Sequence, residues 1–117
     1  KDDYLAALRA AAAEPGEGLT AIVAESDARV SWLSKQLGSA ATVIRGGMSL
    51  PAEGVVLLPL RVAKGLEFDH VIVPDAQAEV YPDTPLARRR LYTALSRAMH
   101  RVTVLAQGPL TPMLAER

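Results

Sequence analysis

The 117 residues suit one domain and leave no room for a second large one. Thirteen basic residues balance thirteen acidic ones, which argues against a uniformly basic nucleic-acid-coating protein but leaves local basic patches open. There is no Cys, which excludes disulfides and thiolate metal sites and suits a reducing cytoplasm, and no apolar run approaches the roughly 18 residues of a membrane span.

Half the residues are hydrophobic but only 4% are aromatic, so the core must be built from Ala, Val and Leu. Residues 3–13 (DYLAALRAAAA) are Ala-rich and predict a helix that Glu14-Pro15-Gly16 stops. Leu19–Ala24 reads as a short buried strand. Ser26 or Asp27 caps a helix running to about Leu37, with Val30, Leu33 and Leu37 as its apolar stripe and Gly38 placed to end it. Ala41–Ile44 is a second strand, and Gly46-Gly47 opens a loop. Val55–Leu60 is a third strand and Val71–Val73 a fourth. A polar loop with two prolines covers 77–85, a long helix 86–100, and Val102–Ala106 is the last strand. Continuous apolar strands alternating with helices predict an α/β domain with a mostly parallel sheet covered on both faces. Residues 1–16 are read as a helix and linker, 17–108 as the core and 109–117 as a tail; the start at Lys1 suggests a piece of a longer protein.

Two stretches carry chemistry. The loop Arg61–Phe68 follows the third strand and is expected at the carboxyl edge of the sheet, where ligands of parallel sheets bind. Gly65 lets backbone approach a ligand, and Lys64 and Glu67 can reach it; a solvated turn is the plainer reading. The second stretch is RRRLYTALSRAMHR, residues 88–101. On a helix of about 3.6 residues per turn, Leu91, Ala94, Leu95 and Ala98 share the core face, while Arg90, Thr93, Arg97 and Arg101 form a separate basic edge. Guanidinium forks onto phosphate or carboxylate, although a run of charge can equally be a solvated face. Arg97 stands among the small residues Ala94, Ser96 and Ala98, a surface that a partner can approach closely.

AKGLEF before an apolar strand, then RRRLYTALSRAM followed by HRVTVL, resembles motifs V and VI of superfamily 1 helicases of the UvrD/Rep type. The likeness runs in motif order over residues 19–107 and is specific at 63–68 and 91–99. TAIVAESDARVSWLSKQL looks like the opening strand and helix of that family's second RecA-like domain. LPLRVAKGLEFD and LYTALSRAMH look most like the helicase-IV-like branch, which includes RNA-polymerase-associated proteins.

The resemblance implies a RecA-like fold and ATP bound between this domain and an N-terminal RecA-like domain of the same parent chain. It implies that Arg97 is an arginine finger on the γ-phosphate, that Glu67 contacts the ribose, and that Gly65 shapes the nucleotide loop. Arg61, Lys64, Arg90 and Arg101 become candidates for contacts to single-stranded DNA or to the partner domain. ATP and Mg are the expected cofactors of a cytoplasmic parent.

Departures from the family pattern bear on this. Pro59 and Arg61 stand where motif V often has Thr and His, and the short linker Met48–Gly54 replaces a large insertion. The phosphate-loop pattern G-x-x-x-x-G-K-[ST] is absent, as is an Asp-Glu pair at a strand end. The phosphate cradle and the Mg ligands are therefore expected outside this chain, and the chain alone is expected not to hydrolyse ATP. The alternative is a non-motor RecA-like module that binds a partner such as RNA polymerase. His70 and His100 have no acidic partner at ligand spacing, so no metal site is expected. Trp32 is expected to pack at a helix edge rather than stack on a base.

Overall fold

The computed structural model describes residues 2–13, 18–46 and 48–114. The elements are α1 (Asp2–Ala13), β1 (Leu19–Ala24), α2 (Asp27–Leu37), β2 (Thr42–Val43), β3 (Gly54–Pro59), α3 (Leu60–Ala63), β4 (Phe68–Val73), α4 (Pro85–Leu95) and β5 (Ala98–Val104). The five strands form one sheet in the order β2-β3-β1-β4-β5, and every pairing in it is parallel. The helix stop expected at 14–16 lies outside the described residues.

The inner strands are apolar on both faces because both faces are covered. Side chains alternate, so the core divides in two. Ala21, Val23, Val56, Leu58, Val71 and Val73 pack with Leu60 and Ala63 of α3 and Leu91 and Ala94 of α4. On the opposite face, Ile22, Leu57 and Ile72 pack with Leu8 of α1 and Val30, Leu33 and Leu37 of α2. The chain thus leaves the neighbouring strands β1 and β3 toward opposite faces, which opens a crevice at their carboxyl ends.

Local signals set several boundaries. Ser26 Oγ accepts the Arg29 N–H at 3.3 Å to cap α2, and Gly38 ends it at a φ of 57°. Thr84 Oγ1 accepts the Ala87 N–H at 3.2 Å, and Pro85 starts α4.

The end of α4 corrects the sequence reading. The helix stops at Leu95, not at residue 100. The Arg97 N–H closes a tight turn on the Ala94 carbonyl at 3.2 Å, and the Phe68 N–H takes the Arg97 carbonyl at 2.8 Å. That bond begins the pairing of β5 with β4, which starts at Phe68 rather than Val71. Residues 98–101 gain a sheet ladder that a longer helix would forgo. The basic helix edge therefore does not exist as one row. Arg90 and Thr93 lie on α4, Arg97 lies in the turn, and Arg101 lies on β5.

Beyond β5 the chain stays docked. Thr111 is fully buried, and its N–H donates to the Ala76 carbonyl at 2.9 Å.

Candidate functional site

The segment from Leu60 to Phe68 is a crossover between parallel strands. After β3 it makes one turn of helix, closed by the Lys64 N–H on the Leu60 carbonyl at 3.2 Å. Gly65 then turns the chain at a φ of +83°, a region that side chains with a Cβ avoid. The Leu66 N–H returns to the Ala63 carbonyl at 3.0 Å. Thr20 of β1 is level with both Val55 and His70, so Phe68 stands just beyond the amino end of β3.

This placement corrects the expectation that the whole loop lies at the carboxyl edge. Arg61 does lie there, but Glu67 lies at the amino edge. A parallel connection must carry the chain back to where the next strand begins, and α3 with the Gly65 turn is that return.

Arg97 joins Glu67 at the amino edge. Its Nε donates to the Thr93 carbonyl at 3.2 Å, Nη1 to the Leu66 carbonyl at 3.3 Å and Nη2 to Ser96 Oγ at 3.3 Å. All three acceptors are neutral, and among the described residues Arg97 makes no ion pair with a carboxylate. Its side chain is half-buried, with Leu91 buried and Leu95 half-buried behind it, while Gly65 and Glu67 are exposed. The result is a fixed, uncompensated cation beside an exposed carboxylate-bearing turn.

The other candidates gather elsewhere. Arg61, Lys64 and Arg90 line a crevice of about 380 Å³ at the carboxyl ends of β1 and β3, with Glu25, Ser26 and Asp27. Arg61 forks onto Asp27, with Nε–Oδ2 at 3.1 Å and Nη2–Oδ1 at 3.0 Å. Arg90 Nη2 donates to the Glu25 carbonyl at 2.6 Å and reaches its carboxylate at 3.3 Å. Lys64 is exposed and makes no ion pair among the described residues. Arg101 stands apart on β5, its Nη2 3.3 Å from Nδ1 of the buried His70. Among the described residues, no group of three or more His, Asp or Glu could hold a metal ion.

Sequence reasoning missed one polar cluster. Asp75 is fully buried at a φ of 61°. It accepts the Tyr4 hydroxyl at 2.8 Å and both Nε and Nη2 of Arg29 at 2.9 Å. Burial and then the Asp75 charge push the Tyr4 pKa well above the ordinary tyrosine range. The hydrogen bond to Asp75 raises that of Arg29. Arg29 also lies over the Trp32 ring, 4.3 Å from its centroid, so Trp32 packs as expected. An Asp after Pro74 is a weak local signal, since Asp tolerates left-handed backbone. Its partners, 46 and 71 residues away, give none.

Comparison with known proteins gives the wider context. Residues 54–105 match the family described as UvrD-like helicase C-terminal domain. That span runs from β3 to just past β5 and includes Gly65, Glu67 and Arg97. A solved structure, the C-terminal domain of a possible DNA helicase from Lactobacillus plantarum WCFS1, is 39% identical to this chain. The similarity covers 97% of this chain and 68% of that one, with a TM-score of 0.74. No curated protein matches. The parallel five-stranded sheet is the architecture expected of a RecA-like domain, and with the family match and the 39% identity to that solved C-terminal domain it shows that the chain belongs to the UvrD-like helicase C-terminal domain family.

Proposed function

We propose that this domain is the C-terminal motor half of an ATP-dependent DNA helicase or translocase. ATP is held by an N-terminal RecA-like domain of the parent chain and meets this domain at its amino edge. There Arg97 faces the γ-phosphate, Glu67 accepts from the ribose, and Gly65 sets the turn that carries Glu67. Arg61, Lys64 and Arg90 face single-stranded DNA at the opposite edge. Such a motor acts in the cytoplasm.

The observation that carries this reading is the setting of Arg97. Three neutral acceptors fix its guanidinium without neutralising it. That donor set fits a polyanion. When bound, ATP with Mg supplies the phosphoanhydride bond that water cleaves. Phosphoryl transfer spreads negative charge over the transferred oxygens, and a preorganised cation from across a cleft stabilises that charge. Arg97 forms no covalent bond and moves no proton. Its role is electrostatic, and it links closure of the two domains to turnover. In this reading the Mg ligands belong to the N-terminal domain.

The test is steady-state ATP turnover by the full-length protein carrying Arg97→Ala or Arg97→Lys. A large loss with Ala and partial recovery with Lys supports the reading. Normal turnover by Arg97→Ala overturns it.

A further inference from the structure

The way α4 ends sets the side chain of Arg97. A helix that continued would give the Thr93 carbonyl to the Arg97 N–H. That N–H bonds the Ala94 carbonyl instead, at 3.2 Å. The Thr93 carbonyl becomes one of the orphans of a helix end, and two side chains take it. Arg97 Nε donates to it at 3.2 Å, and Ser96 Oγ donates to it at 3.2 Å. Both bonds lie at the negative end of the helix dipole, which favours a cation.

The Ser96 hydroxyl carries one hydrogen and two lone pairs. Its hydrogen is spent on the Thr93 carbonyl, so toward Arg97 it can only accept, and it takes Nη2 at 3.3 Å. A guanidinium has five N–H donors. Nε, one N–H of Nη1 and one of Nη2 are used inside the domain, which leaves one on each terminal nitrogen for an incoming oxyanion. Of the three acceptors that hold the group, those of Thr93 and Leu66 are backbone carbonyls, which every residue type supplies. Ser96 Oγ is the one that belongs to a side chain.

We propose that Ser96 is a positioning residue, whose hydroxyl fixes the Arg97 guanidinium in the orientation that turns its two remaining N–H groups to the γ-phosphate. The proposal rests on the functional reading above, in which Arg97 meets that phosphate. A cation already in place needs no reorganisation when charge develops in the transition state. Without the hydroxyl, Nη2 turns to water while Nε and Nη1 keep their anchors. The fold and the charge then survive, and the orientation is lost. In the closed motor the N-terminal domain excludes water from this edge, where a hydrogen bond to a cation counts for more.

Ser96 is exposed and sits at a φ of −79°, so Thr and Val are both accommodated. Those two side chains share a shape and differ by the hydroxyl. The experiment is steady-state ATP turnover by the full-length protein at saturating oligothymidylate. Ser96→Val should lower kcat by about three- to tenfold, the range of one lost hydrogen bond. KM for ATP should stay within about twofold, because the lost interaction belongs to the transition state. Ser96→Thr should keep most of the rate. In the Arg97→Lys background there is no second terminal nitrogen to hold, and Ser96→Val should change nothing. Equal kcat for Ser96→Val and Ser96→Thr overturns the positioning role. An equal loss from Ser96→Val in the Arg97→Lys background also overturns it, since the hydroxyl would then act on the helix end alone. If Arg97→Ala is slow while Ser96→Val is not, this proposal falls and the functional reading stands. If Arg97→Ala turns over normally, the functional reading falls and the role of Ser96 falls with it.

Discussion

Arg97 Nη1 donates to the Leu66 carbonyl at 3.3 Å, which fastens the turn after α4 to the turn before β4. The two stretches that resemble family motifs are thus one structural unit. If Arg97 plays the proposed role, Arg97→Ala in the full-length protein should lower kcat by about 10³-fold or more, because the cation would act where charge develops in the transition state. KM for ATP should change only a few-fold. Arg97→Lys should recover part of the rate, since an ammonium keeps the charge but not the fork. Steady-state kinetics on both variants checks the split.

Gly65 tests the other side of that unit. A Cβ at this position would meet nothing within 4 Å, so space is not the constraint. The constraint is the backbone itself, at a φ of +83°. Gly65→Ala should cost about 1–2 kcal/mol through backbone strain alone. Gly65→Asn should cost less, because Asn tolerates left-handed backbone. Urea unfolding of the three proteins would rank them in that order. Equal loss with Ala and Asn would mean that something other than φ governs the turn.

Asp75 ties α1 and α2 to the loop after β4. Replacing it with Asn leaves the Arg29 guanidinium without its carboxylate and should destabilise the domain by about 3 kcal/mol. Asp75→Ala should cost about 1 kcal/mol more, since Ala also resists the φ of 61°. Chemical denaturation measures both, and a loss below about 1 kcal/mol in either would show that the cluster is not a structural tie.

Tyr4 and Tyr81 make the fold sensitive to alkali. Burial raises both pKa values above the ordinary 10.0, that of Tyr81 to about 12 and that of Tyr4 further. A raised folded pKa means that the native state holds its proton more tightly than the unfolded chain. The stability it contributes is complete below about pH 10 and is lost as pH rises through the folded values. Unfolding free energy should therefore fall with pH above about 10, and Tyr4→Phe should flatten that fall. Tyr81→Phe should flatten it too, with a different effect at neutral pH. The Tyr81 hydroxyl is buried with no partner among the described residues, so its removal should be neutral or stabilising by up to about 1 kcal/mol. Tyr4→Phe instead removes the 2.8 Å bond to Asp75 and should destabilise at neutral pH. Thermal and denaturant melts across pH separate the two residues.

The sequence alone determined the elements whose causes are local. β1, β3 and α2 lie where apolar runs and the Ser26 cap put them, within a residue at most, because burial and capping act over a few positions. Gly65, Glu67 and Arg97 were legible as a set of residue types in a recognisable order. Their place in the molecule was not. α4 ends at Leu95 because the Arg97 carbonyl is claimed by Phe68, a partner 29 residues earlier in the chain that no helical periodicity reveals. Glu67 reaches the amino edge because the sheet is parallel and its crossover must return, a constraint that exists only once β3 and β4 take their places beside β1. The separation of Arg97 from Arg61 across the sheet, and the meeting of Tyr4, Arg29 and Asp75, were likewise decided by long-range packing, since residues far apart in sequence meet only when the core brings their elements together.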